Sequence, residues 1–328
     1  MQILLVVNSS ASSVTARRRV VVRRVLSEVG DVYTAETRRR GHATALARAA
    51  VRNGTECVVV LGGDGTLNEV ATALSGTDCA LACLPGGSTN VFARTLGLPE
   101  NCVDAARLVA EALATGTIRP IGLGEVNGRY FCFHVGAGWD AALVARVERR
   151  AELKRYAGHA LFVAAGLRTT FGGYDKSTPH FSVTFPGGGQ HGADRTIDDA
   201  YFTVVMNSDP YTFVGKRPFT IAPTATLDRP FSVITLRTLG TRAMLATMVD
   251  ALRNQDGITP NEYVDVQTEV DEVVLRRATS MPFQVDGDYL GEAETLHFHH
   301  RPGALRPVLP ATAVLSDRAR PASTPASS

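Results

Sequence analysis

The stretch "VVVLGGDGTLNEVATAL", residues 58–74, runs from β-branched residues into Gly62-Gly63-Asp64-Gly65 and then into a helical pattern. A glycine turn between a strand end and a helix start leaves backbone N–H groups unobstructed and aims a helix N-terminus at the same point, which suits a phosphate. In open α/β sheets that point lies at the carboxyl ends of the strands, where ligands bind. The carboxylate of Asp64 would repel a phosphate unless a divalent cation such as Mg²⁺ stood between them. Its other reading is a cap for a helix that starts near Thr66.

The device recurs one strand later. "LPGGSTNVFARTLGLP", residues 84–99, offers Gly86 and Gly87, the hydroxyls of Ser88 and Thr89, then Asn90 and a helix. Asn8, Ser9 and Ser10 after the first strand and Thr37 after the second add short polar side chains to the same rim. No G-x-x-x-x-G-K-[ST] occurs, which excludes the usual P-loop. "GAGWDA", residues 136–141, is an incomplete dinucleotide fingerprint and reads as a tight turn.

Working outward, the chain alternates strand and helix to about residue 120. Strands are expected at 3–8, 31–36, 57–61 and 80–85, and helices at 12–28, 41–53, from Leu67, near 90–96 and at 103–115. Continuous apolar strands separated by helices predict a doubly wound α/β sheet covered on both faces. Beyond Ile121 shorter alternating runs take over, among them 129–135, 180–185, 200–207, 231–239, 263–270 and 295–300, which predict an antiparallel β domain. Helices are expected around 139–170 and 241–253, a hairpin tip at "PGGGQHG" (186–192), and a disordered Pro/Ser/Ala-rich end. The 328 residues suit two domains, and the formal charge of +2 implies no bulk affinity for nucleic acid. The five cysteines are odd in number and scattered, so they predict buried thiols rather than disulfides or zinc. No run reaches the about 18 apolar residues that cross a bilayer, and the N-terminus reads as a strand rather than a signal peptide, so a cytoplasmic protein is expected.

"GGDGTLNEV" followed by the "PGGSTNVFAR" turn resembles the diacylglycerol kinase catalytic-domain family, which includes soluble bacterial diacylglycerol kinases, sphingosine kinases and ceramide kinases. The resemblance extends from Ile3 to about His300. It implies an N-terminal α/β nucleotide domain related to those of 6-phosphofructokinase and NAD kinase, a C-terminal β-sandwich-like domain, and ATP in the cleft between them. Domains are expected at 1–123 (ATP-binding) and 124–302 (lipid substrate), with 303–328 a return segment and tail.

Carried over by position, the resemblance makes Asn8, Thr37, Gly62, Gly63, Asp64, Gly65, Thr66, Asn68 and Ser88 contacts of ATP, joined by Ser9, Ser10 and Gly87 from the rim and the second turn. Asp64 would act through Mg²⁺, Asp286 of "FQVDGD" (283–288) would be the general base, and Asp288 its acidic neighbour. D-G between alternating apolar residues is also a hairpin signal. Two departures stand out: Val91 where the family usually has Asp, and Arg229-Pro230 where soluble bacterial members bind a structural Mg²⁺.

The function implied is phosphoryl transfer from ATP to a lipid hydroxyl, diacylglycerol by default, at the membrane surface. The basic-then-apolar stretch 144–171 would lie on an anionic bilayer or form a domain helix with a solvated face. Arg38, Arg39 and Arg40 would bind phosphates or be solvated, and "HFHH" (297–300) is expected to be structural. The rivals are an NAD kinase-like enzyme, disfavoured by the second glycine turn, and a nucleotide- or lipid-binding sensor without turnover. Oligomeric state is open, a homodimer included.

Overall fold

The computed structural model describes residues 1–138, 141, 180–240, 246–247, 250 and 257–310. The expected helices at 139–170 and 241–253, the stretch 144–171 and the tail fall largely or wholly outside the described residues, as do Trp139 and Asp140 of the expected tight turn.

The first part builds β1 (Gln2–Val7), α1 (Ala16–Leu26), β2 (Asp31–Glu36), α2 (His42–Arg52), β3 (Cys57–Gly62), α3 (Asp64–Leu74), β4 (Ala80–Pro85), α4 (Val91–Thr95) and α5 (Cys102–Thr115). The four strands form a parallel sheet in the order β2-β1-β3-β4. β3 and β4 are buried along their whole length, as strands covered on both faces require. α2 presents Ala43, Ala47 and Ala50 to the core, one small-residue face that lets the helix lie close to the sheet.

Two helix starts differ most from expectation. α1 begins only at Ala16, because Thr15 is extended and its side chain accepts the Arg18 N–H. α3 begins at Asp64 rather than Leu67: Leu67 N already donates to Gly63 O at 3.1 Å. Asp64 therefore opens the helix, where a carboxylate suits the macrodipole.

The second part contains β5 (Ile121–Val126), β6 (Arg129–Phe131), β7 (His134–Gly138), β8 (Phe181–Phe185), β9 (Arg195–Ala200), β10 (Phe202–Met206), β11 (Thr212–Val214), β12 (Arg217–Phe219), β13 (Phe231–Leu236), β14 (Val264–Val270), β15 (Glu272–Val285) and β16 (Asp288–Leu305). Ten of these form one antiparallel sheet with the path β14-β13-β10-β7-β15-β16-β5-β6, while β8 and β9 branch from β15 and β11 pairs with β12. The hairpin tip at 186–192 joins β8 to β9 through a 3-10 turn at Gln190–Gly192. The expected single run 129–135 is split, because Cys132 and Phe133 leave the ladder and turn their N–H groups on Asp286. All five cysteines are buried and free.

After β16 the chain returns to the first sheet. Leu81 N donates to Arg306 O at 3.0 Å, Val308 N to Leu81 O at 2.8 Å and Leu309 N to Thr117 O at 3.0 Å, a short edge beside β4. Leu305, Val308 and Leu309 are buried in the first core. No helix among the described residues is long and apolar enough to cross a membrane.

Candidate active site

The two glycine turns lie against each other at the carboxyl ends of β3 and β4. Gly86 N donates to Gly62 O at 2.9 Å. A Cβ on Gly86 would stand 2.8 Å from Gly62 N, and one on Gly87 2.8 Å from Gly63 Cα. Neither glycine has a left-handed φ, so close backbone approach is what requires them. Gly63 and Gly65 differ: the nearest atoms to a Cβ there are Gly87 Cα at 3.4 Å and Asp288 Oδ2 at 3.3 Å. These two keep the mouth of the turn bare.

Asp64 ties the turns together. Its Oδ2 accepts Val91 N at 3.0 Å and its Oδ1 accepts Phe92 N at 3.2 Å, so it caps α4 across the site rather than its own helix. Asn90 closes the second turn, accepting Gly87 N at 2.8 Å and donating to Gly87 O at 3.0 Å. Burial raises the Asp64 carboxyl above the usual range against the pull of the two amides, and the charge of Asp288 adds to the rise. Val91 is buried and acts here through its backbone N–H.

The rim residues gather at the ends of β1 and β2. Asn8 Nδ2 donates to Thr66 Oγ1 at 2.9 Å, and Asn8 Oδ1 accepts Ser10 N at 3.1 Å. Ser9 Oγ donates to Glu36 at 2.6 Å, and Arg19 pairs with that same carboxylate. Thr37 N donates to Val7 O at 2.9 Å, and Ser88 is exposed.

Asn68 points the other way, into the contact with the second sheet. Buried, it donates to Asp286 Oδ2 at 2.8 Å and to Tyr130 O at 3.0 Å, and its Oδ1 accepts Arg129 Nη2 at 3.3 Å. Asp286 sits at φ +49° in the turn between β15 and β16. Besides Asn68 it accepts Cys132 N at 2.8 Å, Phe133 N at 2.9 Å and His134 N at 3.1 Å. Two donors on each oxygen fill its ordinary acceptor positions. Burial nevertheless lifts its carboxyl to about 6, against the four hydrogen bonds. The neighbouring His134 is buried, stacks on Tyr211 at 4.2 Å, and is lowered by desolvation to about 3.

Asp288, half-buried, faces Gly65 and pairs with Arg40 at 3.1 Å. Of the arginine triplet, Arg40 is thus engaged at the site. Arg229 pairs with Glu269 at 3.2 Å, so the cation at that departure is matched by a local carboxylate.

Three contributors were not anticipated. Glu69 accepts Gly41 N at 2.7 Å and Ala43 N at 3.0 Å, capping α2, whose N-cap glycine has no side chain to do so. The cue was its place directly after Asn68 in the first motif. Arg129, which steadies Asn68, and the three amides of residues 132–134 carry no sequence signal of their own.

An α/β domain with paired glycine turns, faced by carboxylates from a β domain, is the arrangement of an ATP-dependent phosphotransferase. Residues 2–126 match the model of the diacylglycerol kinase catalytic domain. A Pseudomonas aeruginosa protein named "Probable lipid kinase YegS-like" is 31% identical over 274 residues, 83% of this chain and 82% of that one. A Bacillus subtilis protein named "Diacylglycerol kinase" is 34% identical over 139 residues, 42% of this chain and 44% of that one. Among solved structures, a diacylglycerol kinase from Bacillus anthracis superposes with a TM-score of 0.68 at 18% identity, covering 95% of this chain and 98% of that one. An NAD kinase from Archaeoglobus fulgidus, solved with ATP, gives 0.52 at 9% identity over 94% of each chain, a likeness of fold alone. The chain belongs to the diacylglycerol kinase catalytic-domain family, a family of ATP-dependent lipid kinases.

Proposed function

We propose that this chain transfers the γ-phosphoryl group of ATP to the hydroxyl of diacylglycerol, giving phosphatidic acid, at the cytoplasmic face of a membrane. The observation that carries the reading is the Asn68–Asp286 hydrogen bond of 2.8 Å. Through it the helix that opens at the first glycine turn holds the acidic turn of the second sheet. Phosphoryl transfer is mostly positioning and charge neutralisation, and the turn held by this contact also carries Asp288, whose carboxylate faces Gly65.

The bare turns at Gly63 and Gly65 and the rim of Asn8, Thr37, Thr66 and Ser88 receive the phosphates. The donor set suits Mg²⁺: Asp64 and Asp288 are hard oxygen ligands, and the charge of Asp288 raises the Asp64 carboxyl, a repulsion that a bound cation would relieve. Asp64 and Asp288 would hold the ion, which supplies neutralisation of the phosphate charge. The hydroxyl oxygen forms the new bond to phosphorus, the bond to the β-phosphate oxygen breaks to leave ADP, and the proton passes to Asp286. With four donors already on it, Asp286 takes that proton only when one gives way. Asn68 is the single side chain among them and the one able to swing aside.

The test is transfer of labelled γ-phosphate from Mg-ATP to mixed micelles holding diacylglycerol, with ceramide, sphingosine, monoacylglycerol and NAD in parallel. Labelled phosphatidic acid, lost in Asp64→Asn and Asp286→Asn, is the expected result. Transfer to another lipid alone overturns the choice of acceptor. ATP binding with transfer to none favours a sensor.

A further inference from the structure

Far along the β15–β16 hairpin from Asp286, a second group of chemistry-bearing side chains converges on one face of the sheet. His297 and His299 are two residues apart on β16, so their side chains share a face. Glu272, the first residue of β15, lies directly across from His299 in the ladder. The two imidazole rings are 4.2 Å apart, and His297 Nε2 is 2.6 Å from Glu272 Oε1. One ligand atom from each of the three side chains falls within 4.8 Å of the other two.

The setting is firm beneath and open above. Val273, Leu275, Leu296 and Phe298 of the same two strands are buried on the opposite face, which fixes the ladder, while the three polar side chains are half-buried and reach solvent. The nearby cation is already matched: Arg301 pairs with Glu125 at 2.6 Å, on the far side of His299. Glu272 is thereby left to the imidazoles.

We propose that Glu272, His297 and His299 form a binding site for a zinc-type divalent transition ion, independent of the phosphoryl-transfer site. Two borderline imidazole nitrogens beside one carboxylate suit Zn²⁺ and its neighbours better than Mg²⁺, and three protein ligands leave a position for water. An ion entering takes the Nε2 lone pair of His297 and replaces the hydrogen shared with Glu272, which moves to Nδ1 or to solvent. The bound ion would clip the start of β15 to the second half of β16 and so stabilise the hairpin that carries Asp286 at its turn.

The experiment uses the untagged full chain, stripped with a chelator and dialysed, and titrates Zn²⁺ by calorimetry without ATP. One ion per chain is expected to bind at micromolar concentration and to raise the melting temperature. His297→Ala, His299→Ala and Glu272→Gln should each weaken binding by about tenfold or more. These positions are half-exposed, and circular dichroism checks that each variant folds. Cu²⁺ substituted for Zn²⁺ should show nitrogen coupling from two imidazoles in its electron paramagnetic resonance spectrum. Binding that is equally tight in all three variants, or no binding below millimolar Zn²⁺ in the wild type, overturns the site.

Discussion

Asp64, the first residue of α3, and Asp286, in the β15–β16 turn, both accept backbone N–H groups and both have their carboxyl raised by burial, yet they are held in different ways. Asp64 is fixed from within its own domain by two amides at the start of α4. Asp286 takes two amides from the β6–β7 link, a third from His134 at the start of β7 and a fourth bond from Asn68 on a helix of the other domain. The first carboxylate positions one domain's turns against each other. The second reports whether the two domains are in register, because its environment is complete only when they meet.

The sharpest way to break this contrast is Asp286→Asn. The left-handed backbone tolerates asparagine, but its amide nitrogen would face two of the four donors, so the variant should lose about 1–3 kcal/mol of stability and, where circular dichroism shows it folded, its turnover should fall by about 10²–10⁴-fold, the usual contribution of a general base. Steady-state kinetics with lipid micelles reads this directly, and near-normal turnover would reduce Asp286 to a structural acceptor. A second comparison sets glycine against glycine. Gly86→Ala forces a methyl group against Gly62 backbone at 2.8 Å and should cost about 1–3 kcal/mol in denaturant unfolding, whereas Gly63→Ala meets only an ordinary contact at 3.4 Å. Equal losses would show that close approach of the turns is not what demands the glycine.

The pH dependence sharpens the inter-domain half of the comparison. Since the Asp286 carboxyl sits at about 6, the acid limb of kcat/KM should fall there, with activity lost as the pH drops and the base becomes protonated. Asn68 holds that value down, so Asn68→Ala should move the limb upward and cost about 1–3 kcal/mol for a lost buried bond to a charged group. The linked effect on stability has the opposite sense. The folded chain binds this proton more tightly than the unfolded one, so the contribution of Asp286 favours folding below the ordinary carboxylate range and is lost as pH rises through about 6. The smallest effect belongs to the partly exposed Arg40–Asp288 pair: Arg40→Ala should change stability by less than about 1 kcal/mol, and any loss of activity should appear in the KM for ATP.

The same contrast explains what the amino-acid order revealed. The glycine turns are contiguous, and strand-to-helix alternation puts them at neighbouring strand ends, so most of the first domain and the meeting of its two glycine turns are legible in the sequence. The role of Asp64 was harder: the start of α3 was set three residues late, and the helix that its carboxylate caps begins 27 residues further on. The resemblance points to Asp286, but its donors lie 152 to 218 residues away, and three of them are amides that any residue except proline would supply. The split of the run 129–135 followed from the same cause, because alternation in Arg129–Val135 gave no sign that Cys132 and Phe133 would abandon the ladder.

The short edge that the chain adds beside β4 bears on the order of synthesis. Leu305, Val308 and Leu309 fill the first core, so the domain that emerges first from the ribosome is finished only after the β domain has been made. Until then the outer side of β4 lacks its neighbour and its backbone groups are unpaired, a condition that invites association between chains. The α/β half is begun first and completed last, and a nascent chain halted before residue 305 would expose that seam.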